Sequence, residues 1–221
     1  MDLANIIFDL DGTLVDSLAG IEYSVDHALA AKGYRARTTG LRPLIGPPIR
    51  HILSEISRET GAQALDGLEA AFRASYDAEG WKKTVLMSGA ERALNEAATA
   101  GCRMFLVTNK PYGATTRIVE HFDIANYFER IVCRDSATPH YSSKAEMLRS
   151  LITQDGVSAE TSLLVGDTRE DFEAATEIGM AAAILASGYG SSTEGPADQP
   201  PYRIRALDEL GSVFRRLGGV K

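Results

Sequence analysis

Short, unbroken runs of apolar residues recur along the chain, and they lack the alternation of apolar and polar positions that marks a strand with one exposed face. Such runs predict strands that are buried on both faces. Apolar residues at helical spacing lie between several of the runs, which predicts strand–helix–strand units with helices on both sides of a parallel sheet. The apolar runs cover residues 4–8, 104–107, 131–133, 163–165 and 181–185. The apolar residues at helical spacing form three groups: Ala90, Ala93, Leu94 and Ala97; Ala145, Leu148 and Ile152; and Phe172 and Ala175 before Gly179.

The stretch from about residue 17 to residue 81 departs from this alternation, because it shows apolar stripes at helical spacing and no convincing strand. Three helices are predicted there. The first ends near Gly33, the second begins at the proline pair 47–48 and ends at Gly61, and the third has a stripe that includes Phe72. An all-helical block directly after the first strand indicates a separate inserted domain.

The predicted architecture is therefore an α/β, Rossmann-like parallel-sheet core with an inserted all-helical cap. We expect the core to comprise residues 1–15 and 83–221 and the cap to comprise residues 16–82. Near the end of the chain, the pattern predicts a surface loop, an edge strand and a final helix, at residues 187–201, 202–204 and 207–217 respectively.

Composition narrows the class of protein further. The chain has 221 residues, of which 44% are hydrophobic and 24% charged, as in an ordinary globular protein and unlike disordered or fibrous ones. Its longest apolar run, residues 180–186, is too short to span a bilayer. A net charge of −7 argues against binding to nucleic acids or to anionic membranes. The two cysteines lie in predicted strands and the first residues lack a signal-like character, so we expect a cytoplasmic location.

Polar residues that can carry chemistry follow the predicted strands directly. In open α/β sheets, ligands bind beyond the carboxyl ends of the strands, so these side chains should converge on one rim. Carboxylates gathered there would repel one another unless a hard divalent cation such as Mg²⁺ offset their charge. Each aspartate taken singly is more often a helix cap, but the joint pattern predicts a metal site. The residues are Asp9, Asp11, Thr108, Asn109, Asp167 and Asp171, with Lys144 near the start of the helix after the third run.

The segment at residues 9–17, DLDGTLVDS, resembles the first motif of the haloacid dehalogenase (HAD) superfamily of phosphotransferases. Three further segments are similar to the later motifs of that superfamily. The second motif resembles the pair Thr108-Asn109, the third resembles Lys144, and the fourth resembles the segment 166–171 with its two aspartates. The predicted helical insert lies where that superfamily has its C1-type cap, so the resemblance covers essentially the whole chain. Phosphoglycolate phosphatase-like members also share a Thr-Asn-Lys-Pro stretch, here residues 108–111, and an Ile-Gly-Pro-Pro stretch, here residues 45–48.

The resemblance implies a Mg²⁺-dependent hydrolase of phosphate monoesters that passes through a phosphoaspartyl intermediate. Asp9 would be the nucleophile that attacks phosphorus. Asp11 would protonate the leaving alkoxide and then deprotonate the water that hydrolyses the intermediate. Lys144 would spread positive charge over the transition state.

The resemblance also assigns binding roles. Thr108 and Asn109, with the backbone amides around Gly12, would hold the phosphoryl oxygens. Asp167 would bind Mg²⁺ together with the nucleophilic aspartate and the backbone carbonyl of residue 11, and Asp171 would orient the water shell of the ion.

The substrate stays open between several classes. By resemblance, 2-phosphoglycolate is the first candidate among small phosphorylated metabolites, followed by nucleotide 5′-monophosphates and sugar phosphates. Beta-phosphoglucomutase shares the fold and the acids, so a phosphomutase is an alternative. A non-catalytic HAD-fold binding protein is the least favoured reading, because both Asp9 and Asp11 are present. The oligomeric state is open between monomer and homodimer.

Within the predicted cap, Arg42 and Arg50 flank the Gly-Pro-Pro turn and would pair with a substrate carboxylate. His51 follows Arg50 on the same helix and would face the substrate as well. The alternative for these side chains is a solvated helix surface without a role in binding.

Overall fold

A computed structural model of the chain describes residues 3–35, 40–190 and 202–218. Within them, six parallel strands form one sheet in the order β5-β4-β1-β6-β7-β8. The strand order reverses at β1, as in the Rossmann arrangement, which confirms the predicted fold class. The strands of this sheet are β1 (Asn5–Phe8), β4 (Arg103–Thr108), β5 (Arg130–Cys133), β6 (Ser162–Gly166), β7 (Ala181–Leu185) and β8 (Tyr202–Ile204).

Five helices cover the two faces of this sheet. On one face, side chains such as Ala93, Ile118 and Val213 pack into one apolar cluster with the strands. On the other face, Leu148 and Ala175 belong to a second cluster. The first face is covered by α4 (Ala90–Thr99), α5 (Tyr112–His121) and α8 (Leu210–Gly218), and the second by α6 (Lys144–Asp155) and α7 (Arg169–Glu177).

The stretch predicted to form the helical insert, residues 16–82, contains α1 (Leu18–Ala31), α2 (Ile49–Ser57) and α3 (Ala62–Ala78) among its described residues. These helices pack around an apolar cluster of their own that includes Val25 and Leu68. The helical character expected of this stretch is therefore present, although the proposed boundaries of a cap domain stay a prediction.

Two short strands connect the insert to the sheet. The strand β2 (Val15–Asp16) pairs antiparallel with β3 (Val85–Leu86), so the chain leaves and re-enters the core side by side. The sequence pattern did not predict these two-residue strands or the helix α5.

One predicted helix end was wrong. The helix α2 ends at Ser57 and not at Gly61, because Arg58 takes a left-handed conformation with φ of 57°. Ser57 Oγ also donates to the carbonyl of Leu53 at 2.6 Å, a local bond that competes with the continuation of a helix. Gly61 instead precedes α3 as its N-cap residue.

Most of the predicted surface loop at residues 187–201 lies outside the described residues. The predicted edge strand and final helix are present as β8 and α8. Of the helices that the structure describes, none combines the length and the apolar character needed to cross a membrane.

Candidate active site

The carboxyl end of the sheet gathers the predicted site residues where the strand order reverses. Asp9 follows β1 directly, and its backbone N–H donates to the carbonyl of Val165 on the neighbouring strand at 2.9 Å. Asp167 follows β6, and Thr108 is the last residue of β4. Since β1 lies between β4 and β6, these three residues come from adjacent strands. Such a switch point is where open α/β sheets bind ligands.

Three carboxylates lie close together at this point, with one oxygen of each of Asp9, Asp167 and Asp171 within 4.8 Å of the others. All three residues are buried, with 5%, 2% and 0% of their surface exposed. Lys144 Nζ donates to Asp9 Oδ1 at 2.9 Å and to Asp171 Oδ1 at 2.5 Å. One ammonium group thus faces three carboxylates, and uncompensated buried charge is costly.

The pKa values at this cluster follow from its burial. Burial raises the pKa of Asp9 well above its ordinary value, because the ammonium of Lys144 only partly offsets the desolvation. Burial and the nearby Asp171 raise the pKa of Asp167 to about 7. Burial also acts to raise the pKa of Asp171, but Lys144 and hydrogen bonds from Thr168 outweigh it and lower that pKa. A divalent cation with oxygen ligands fits this set, because it would supply the missing positive charge.

Two helix N-termini position the Lys144–Asp171 pair. Lys144 is the first residue of α6, whose N-cap Ser143 accepts the N–H of Glu146 at 3.2 Å. Asp171 forms a capping box at the start of α7, where its Oδ2 accepts the N–H of Thr168 at 2.9 Å and the hydroxyl of the same residue at 2.6 Å. Both oxygens of Asp171 are therefore engaged, which suits a residue that orients the site.

Backbone groups surround the carboxylate of Asp167. Its Oδ2 accepts the N–H of Tyr189 at 2.6 Å, and its Oδ1 accepts the hydroxyl of Thr13 at 3.2 Å. Gly12, with φ of +86°, and Gly188 approach so closely that a Cβ at either position would collide with this carboxylate. Glycine is therefore needed at residue 12 both for its conformation and for this close approach.

The side chain of Asp11 is engaged outside the three-acid cluster. Lys110 Nζ donates to its two carboxylate oxygens at 2.8 and 3.0 Å, and Ser17 Oγ donates to Oδ1 at 2.6 Å. Burial acts to lower the pKa of Lys110, but the charge of Asp11 outweighs this effect and the pKa lies above its ordinary value. Lys110 also lies 4.8 Å from the ring centre of Tyr76 on α3. The carboxylate is thus held by a fully charged, buried cation.

Thr108 and Asn109 lie at the end of β4, as predicted. Thr108 Oγ1 accepts the N–H of Lys110 at 3.2 Å. Asn109 Nδ2 donates to the carbonyl of Gly46 in the insert at 3.1 Å and to Glu170 Oε2 at 2.8 Å. The amide expected to hold phosphoryl oxygens therefore bridges the core and the insert in this structure.

A cavity of about 380 Å³ lies between the sheet edge and the helical insert. Its volume is in the range of small-molecule sites. The insert contributes apolar and aromatic side chains to the wall, among them Ile52, Phe72 and Tyr76. Gly12, Asp167 and Asp171 are not among its lining residues. From the core, the wall includes five predicted site residues, namely Asp9, Asp11, Thr108, Asn109 and Lys144.

The structure does not bring Arg50 to this cavity. Its guanidinium donates to Asp66 Oδ1 at 2.6 Å and to Glu69 Oε2 at 3.2 Å, both on α3. Arg50 and His51 instead line a neighbouring recess. The position of Arg50 therefore gives no support to its predicted pairing with a substrate carboxylate.

Arg42 has a different partner as well, in the segment around Tyr189. Its Nη1 donates to the carbonyl of Gly188 at 2.9 Å, and its guanidinium lies 5.4 Å from the ring centre of Tyr189. The Tyr189 hydroxyl donates to Asp16 Oδ1 at 2.7 Å and accepts the N–H of Ser17 at 2.6 Å. Tyr189 thus links the Asp167 carboxylate to the start of the insert, a role that only its two flanking glycines hinted at in the sequence.

The family model described as haloacid dehalogenase-like hydrolase matches residues 6–185 of this chain. That range includes all of β1 except its first residue, the strands β2 to β7, the helical insert and the three-acid cluster. A solved structure described as a predicted phosphatase from Clostridium acetobutylicum superimposes with a TM-score of 0.88 at 25% identity, and covers 98% of this chain and 100% of that one.

Three curated relatives carry different names. The tyrosine-protein kinase PtkA of Mycobacterium tuberculosis is 33% identical over 186 residues, which are 84% of this chain but only 62% of that protein. A 5′-nucleotidase of Pseudomonas aeruginosa is 30% identical over 213 residues, 95% of each chain. A phosphoglycolate phosphatase of Vibrio parahaemolyticus is 32% identical over 224 residues, 96% of each chain. The family model and these relatives together confirm the resemblance found in the motifs: the chain belongs to the haloacid dehalogenase-like hydrolase family.

Proposed function

We propose that the protein is a Mg²⁺-dependent hydrolase of small phosphate monoesters that works through a phosphoaspartyl intermediate on Asp9. The observation that carries this proposal is the position of the Asp9 carboxylate. It lines the cavity, lies 2.9 Å from Lys144 Nζ and has two further carboxylates beside it. A carboxylate nucleophile needs cations that hold both its own charge and that of the phosphoryl group.

The reaction has two balanced steps. In the first, an oxygen of Asp9 forms a bond to phosphorus, the bond from phosphorus to the alcohol oxygen breaks, and Asp11 gives a proton to the leaving alkoxide. In the second, Asp11 takes a proton from water, the water oxygen bonds to phosphorus, and inorganic phosphate leaves with Asp9 restored. Because Asp11 is a carboxylate paired with Lys110 in this structure, it has to take up a proton and turn toward the substrate before the first transfer.

The other site residues bind and orient. Lys144 stabilises negative charge at Asp9, while Thr108, Asn109 and the amides around Gly12 hold the phosphoryl oxygens. Asp9, Asp167 and the backbone carbonyl of residue 11 would hold Mg²⁺, which would supply positive charge beside the carboxylates and the phosphoryl oxygens. The twofold engagement of Asp171 supports an orienting role.

We further propose that residues 16–82 act as a cap domain over a core of residues 1–15 and 83–221, and that the enzyme works in the reducing cytoplasm. A phosphoglycolate phosphatase that aligns over 96% of each chain supports 2-phosphoglycolate as the first candidate substrate. The 5′-nucleotides are a second candidate. Two properties of the cavity favour them. Its volume of about 380 Å³ is larger than a molecule as small as phosphoglycolate requires, and its wall is partly apolar.

The test is release of inorganic phosphate from p-nitrophenyl phosphate with Mg²⁺. We expect Asp9→Asn to lower kcat at least about 1,000-fold, because the nucleophile is lost while the shape of the side chain is kept. Asp123→Asn is the matched control. It makes the same chemical change at an exposed residue with φ of 56°, a conformation that asparagine also adopts. Equal activity in Asp9→Asn and the wild type would refute the proposal.

The same assay separates the alternatives. A phosphomutase would move phosphate between positions of one sugar and release little of it. A non-catalytic binding protein would release none, in the wild type or in either variant. A ranking of phosphorylated metabolites by kcat/KM would then identify the substrate class.

A further inference from the structure

We infer, on the basis of the proposed function, that Arg134 binds a second negative charge on the substrate, so that the preferred esters carry an anionic group on their alcohol portion. Arg134 directly follows β5 and lines the cavity together with Asp9. No sequence motif pointed to it. The evidence lies in how the cations around the cavity are paired.

Five lysine and arginine side chains line the cavity within the described residues. Four of them form ion pairs with carboxylates, whereas Arg134 forms none with any residue that the structure describes. Carboxylates of the protein therefore already neutralise the other four cations. The charge of Arg134 is still available to pair with an anion of the substrate. The four pairs are Lys144 with Asp9, Lys110 with Asp11, Arg73 with Glu69, and Arg117 with Asp77.

The contacts of Arg134 are with neutral oxygens only. Its Nη1 donates to Asn109 Oδ1 at 3.4 Å, and its Nη2 donates to the carbonyl of Ser142 at 3.1 Å. Hydrogen bonds from Ser142 lower the pKa of Glu146 and the charge of Arg134 contributes to this shift, but Arg134 and Glu146 form no ion pair. A partly buried guanidinium that no carboxylate contacts directly gains from an anion that enters the cavity. Its planar fork matches the two oxygens of a carboxylate or phosphate.

The location separates this anion from the transferred phosphoryl group. Asn109, which is proposed to hold phosphoryl oxygens, lies between Arg134 and the strand end of β1 that carries Asp9. A group bound by Arg134 would therefore be separated from the transferred phosphoryl group by the side chain of Asn109. In a bound substrate, the far end of the alcohol portion would lie at that position.

An anionic substrate of this protein depends on cations that carboxylates do not already neutralise. The chain has a net charge of −7, so an anionic substrate needs local cations to approach. Arg134 lies where the cavity adjoins the neighbouring recess, and Arg73 and His140 line both spaces. Of the two arginines that line both spaces, Arg73 pairs with Glu69, whereas Arg134 pairs with no carboxylate of the described residues.

The experiment compares three esters that share a two-carbon alcohol portion. These are 2-phosphoglycolate, which carries a carboxylate, ethane-1,2-diol bisphosphate, which carries a second phosphate, and 2-hydroxyethyl phosphate, which carries neither. KM and kcat are measured for the wild type, Arg134→Gln and Arg134→Lys. Arg216→Gln, an exposed arginine on α8, is the control for loss of one positive charge.

We expect Arg134→Gln to raise KM about 10- to 100-fold for at least one of the charged esters, with kcat/KM for 2-hydroxyethyl phosphate within about twofold of wild type. Which charged ester responds identifies the second anion as a carboxylate or a phosphate. Arg134→Lys keeps the charge without the planar fork, so it should retain part of the preference and also guard against a folding defect in the glutamine variant.

Two results would overturn the inference alone: a wild-type enzyme that does not distinguish charged from neutral esters, or an Arg134→Gln variant that loses activity equally on all three. The second result would mean that Arg134 binds the transferred phosphoryl group. A folded wild-type protein that hydrolyses neither these three esters nor p-nitrophenyl phosphate would overturn the proposed function together with the inference.

Discussion

At the scale of single residues, the charge balance of the acid cluster depends on Lys144. Its side chain is 3% exposed, and its ammonium contacts both Asp9 and Asp171. Lys144→Met keeps most of the side-chain volume but leaves two buried carboxylates without their cation. We expect the free energy of unfolding to fall by about 3–5 kcal/mol, as is typical when one partner of a buried ion pair is removed. Urea denaturation followed by circular dichroism measures this change.

The control is Lys82→Met. Lys82 pairs with Glu79 at 2.8 Å, but both side chains are more than half exposed. Exposed ion pairs contribute about 0–1 kcal/mol, so this variant should unfold nearly like the wild type. A loss of less than about 1 kcal/mol in Lys144→Met would show that the cluster is not held by that charge.

The aspartates and Lys144 could be predicted from the sequence because of where they lie along the chain. The aspartates follow buried strands, and Lys144 begins the helix that comes after a strand. In an open sheet, such residues meet at one rim. The ion pair of Lys110 with Asp11 could not be predicted in this way, because the two residues are 99 positions apart in the chain. The partners of Arg50 were missed for the same reason. Its partners Asp66 and Glu69 lie on the next helix, and no local pattern shows that they neutralise it.

At the scale of elements, Tyr189 joins the sheet to the first helix of the insert. Its hydroxyl accepts the N–H groups of Ser17 and Leu18 at 2.6 and 3.0 Å and donates to Asp16 Oδ1 at 2.7 Å. Tyr189→Phe would leave the first N–H groups of α1 without this acceptor in a buried place. We expect a loss of about 1–3 kcal/mol in the free energy of unfolding, measured by urea denaturation.

Tyr112→Phe provides the comparison, because Tyr112 is 50% exposed at the start of α5. Removing an exposed hydroxyl should change the stability by no more than about 0.5 kcal/mol. If the two variants were equally stable, the hydrogen bonds of Tyr189 would not contribute to holding the insert on the core.

Elements with a strong pattern were predictable, and those without one were not. The sheet strands are continuous apolar runs, because both faces are covered by helices. The strands β2 and β3 have two residues each, too few to show any period. The helix α5 was missed because its apolar stripe is thin and Gly113 and two threonines interrupt it.

At the scale of the whole molecule, a few polar contacts close the insert over the site. Arg117 on α5 donates to Asp77 Oδ1 on α3 at 3.2 Å, and Asn109 reaches the carbonyl of Gly46. These contacts cross from core to insert at the wall of the cavity, so binding in the cavity and the position of the insert are physically linked. The proposed cap would in this way help to exclude water from the reacting groups.

Mg²⁺ should stabilise the whole protein, because an ion that binds the folded acid cluster and not the unfolded chain shifts the unfolding equilibrium. At about 100 times its Kd, a ligand contributes about 2.7 kcal/mol. For a chain of 221 residues, this corresponds to a rise in Tm of roughly 5–10 °C. Differential scanning calorimetry with and without Mg²⁺ measures the shift.

Asp167→Asn tests whether this stabilisation arises at the predicted site. The amide keeps the size of the side chain and an oxygen for the N–H of Tyr189, but it removes one of the three negative charges that would bind the ion. We expect the variant to lose most of the Mg²⁺-dependent rise in Tm, while Asp123→Asn, far from the cluster in the fold, keeps all of it. NaCl at matched ionic strength excludes general screening. An equal rise in Asp167→Asn and the wild type would place the ion elsewhere, and the charge deficit of the buried cluster would then need another explanation.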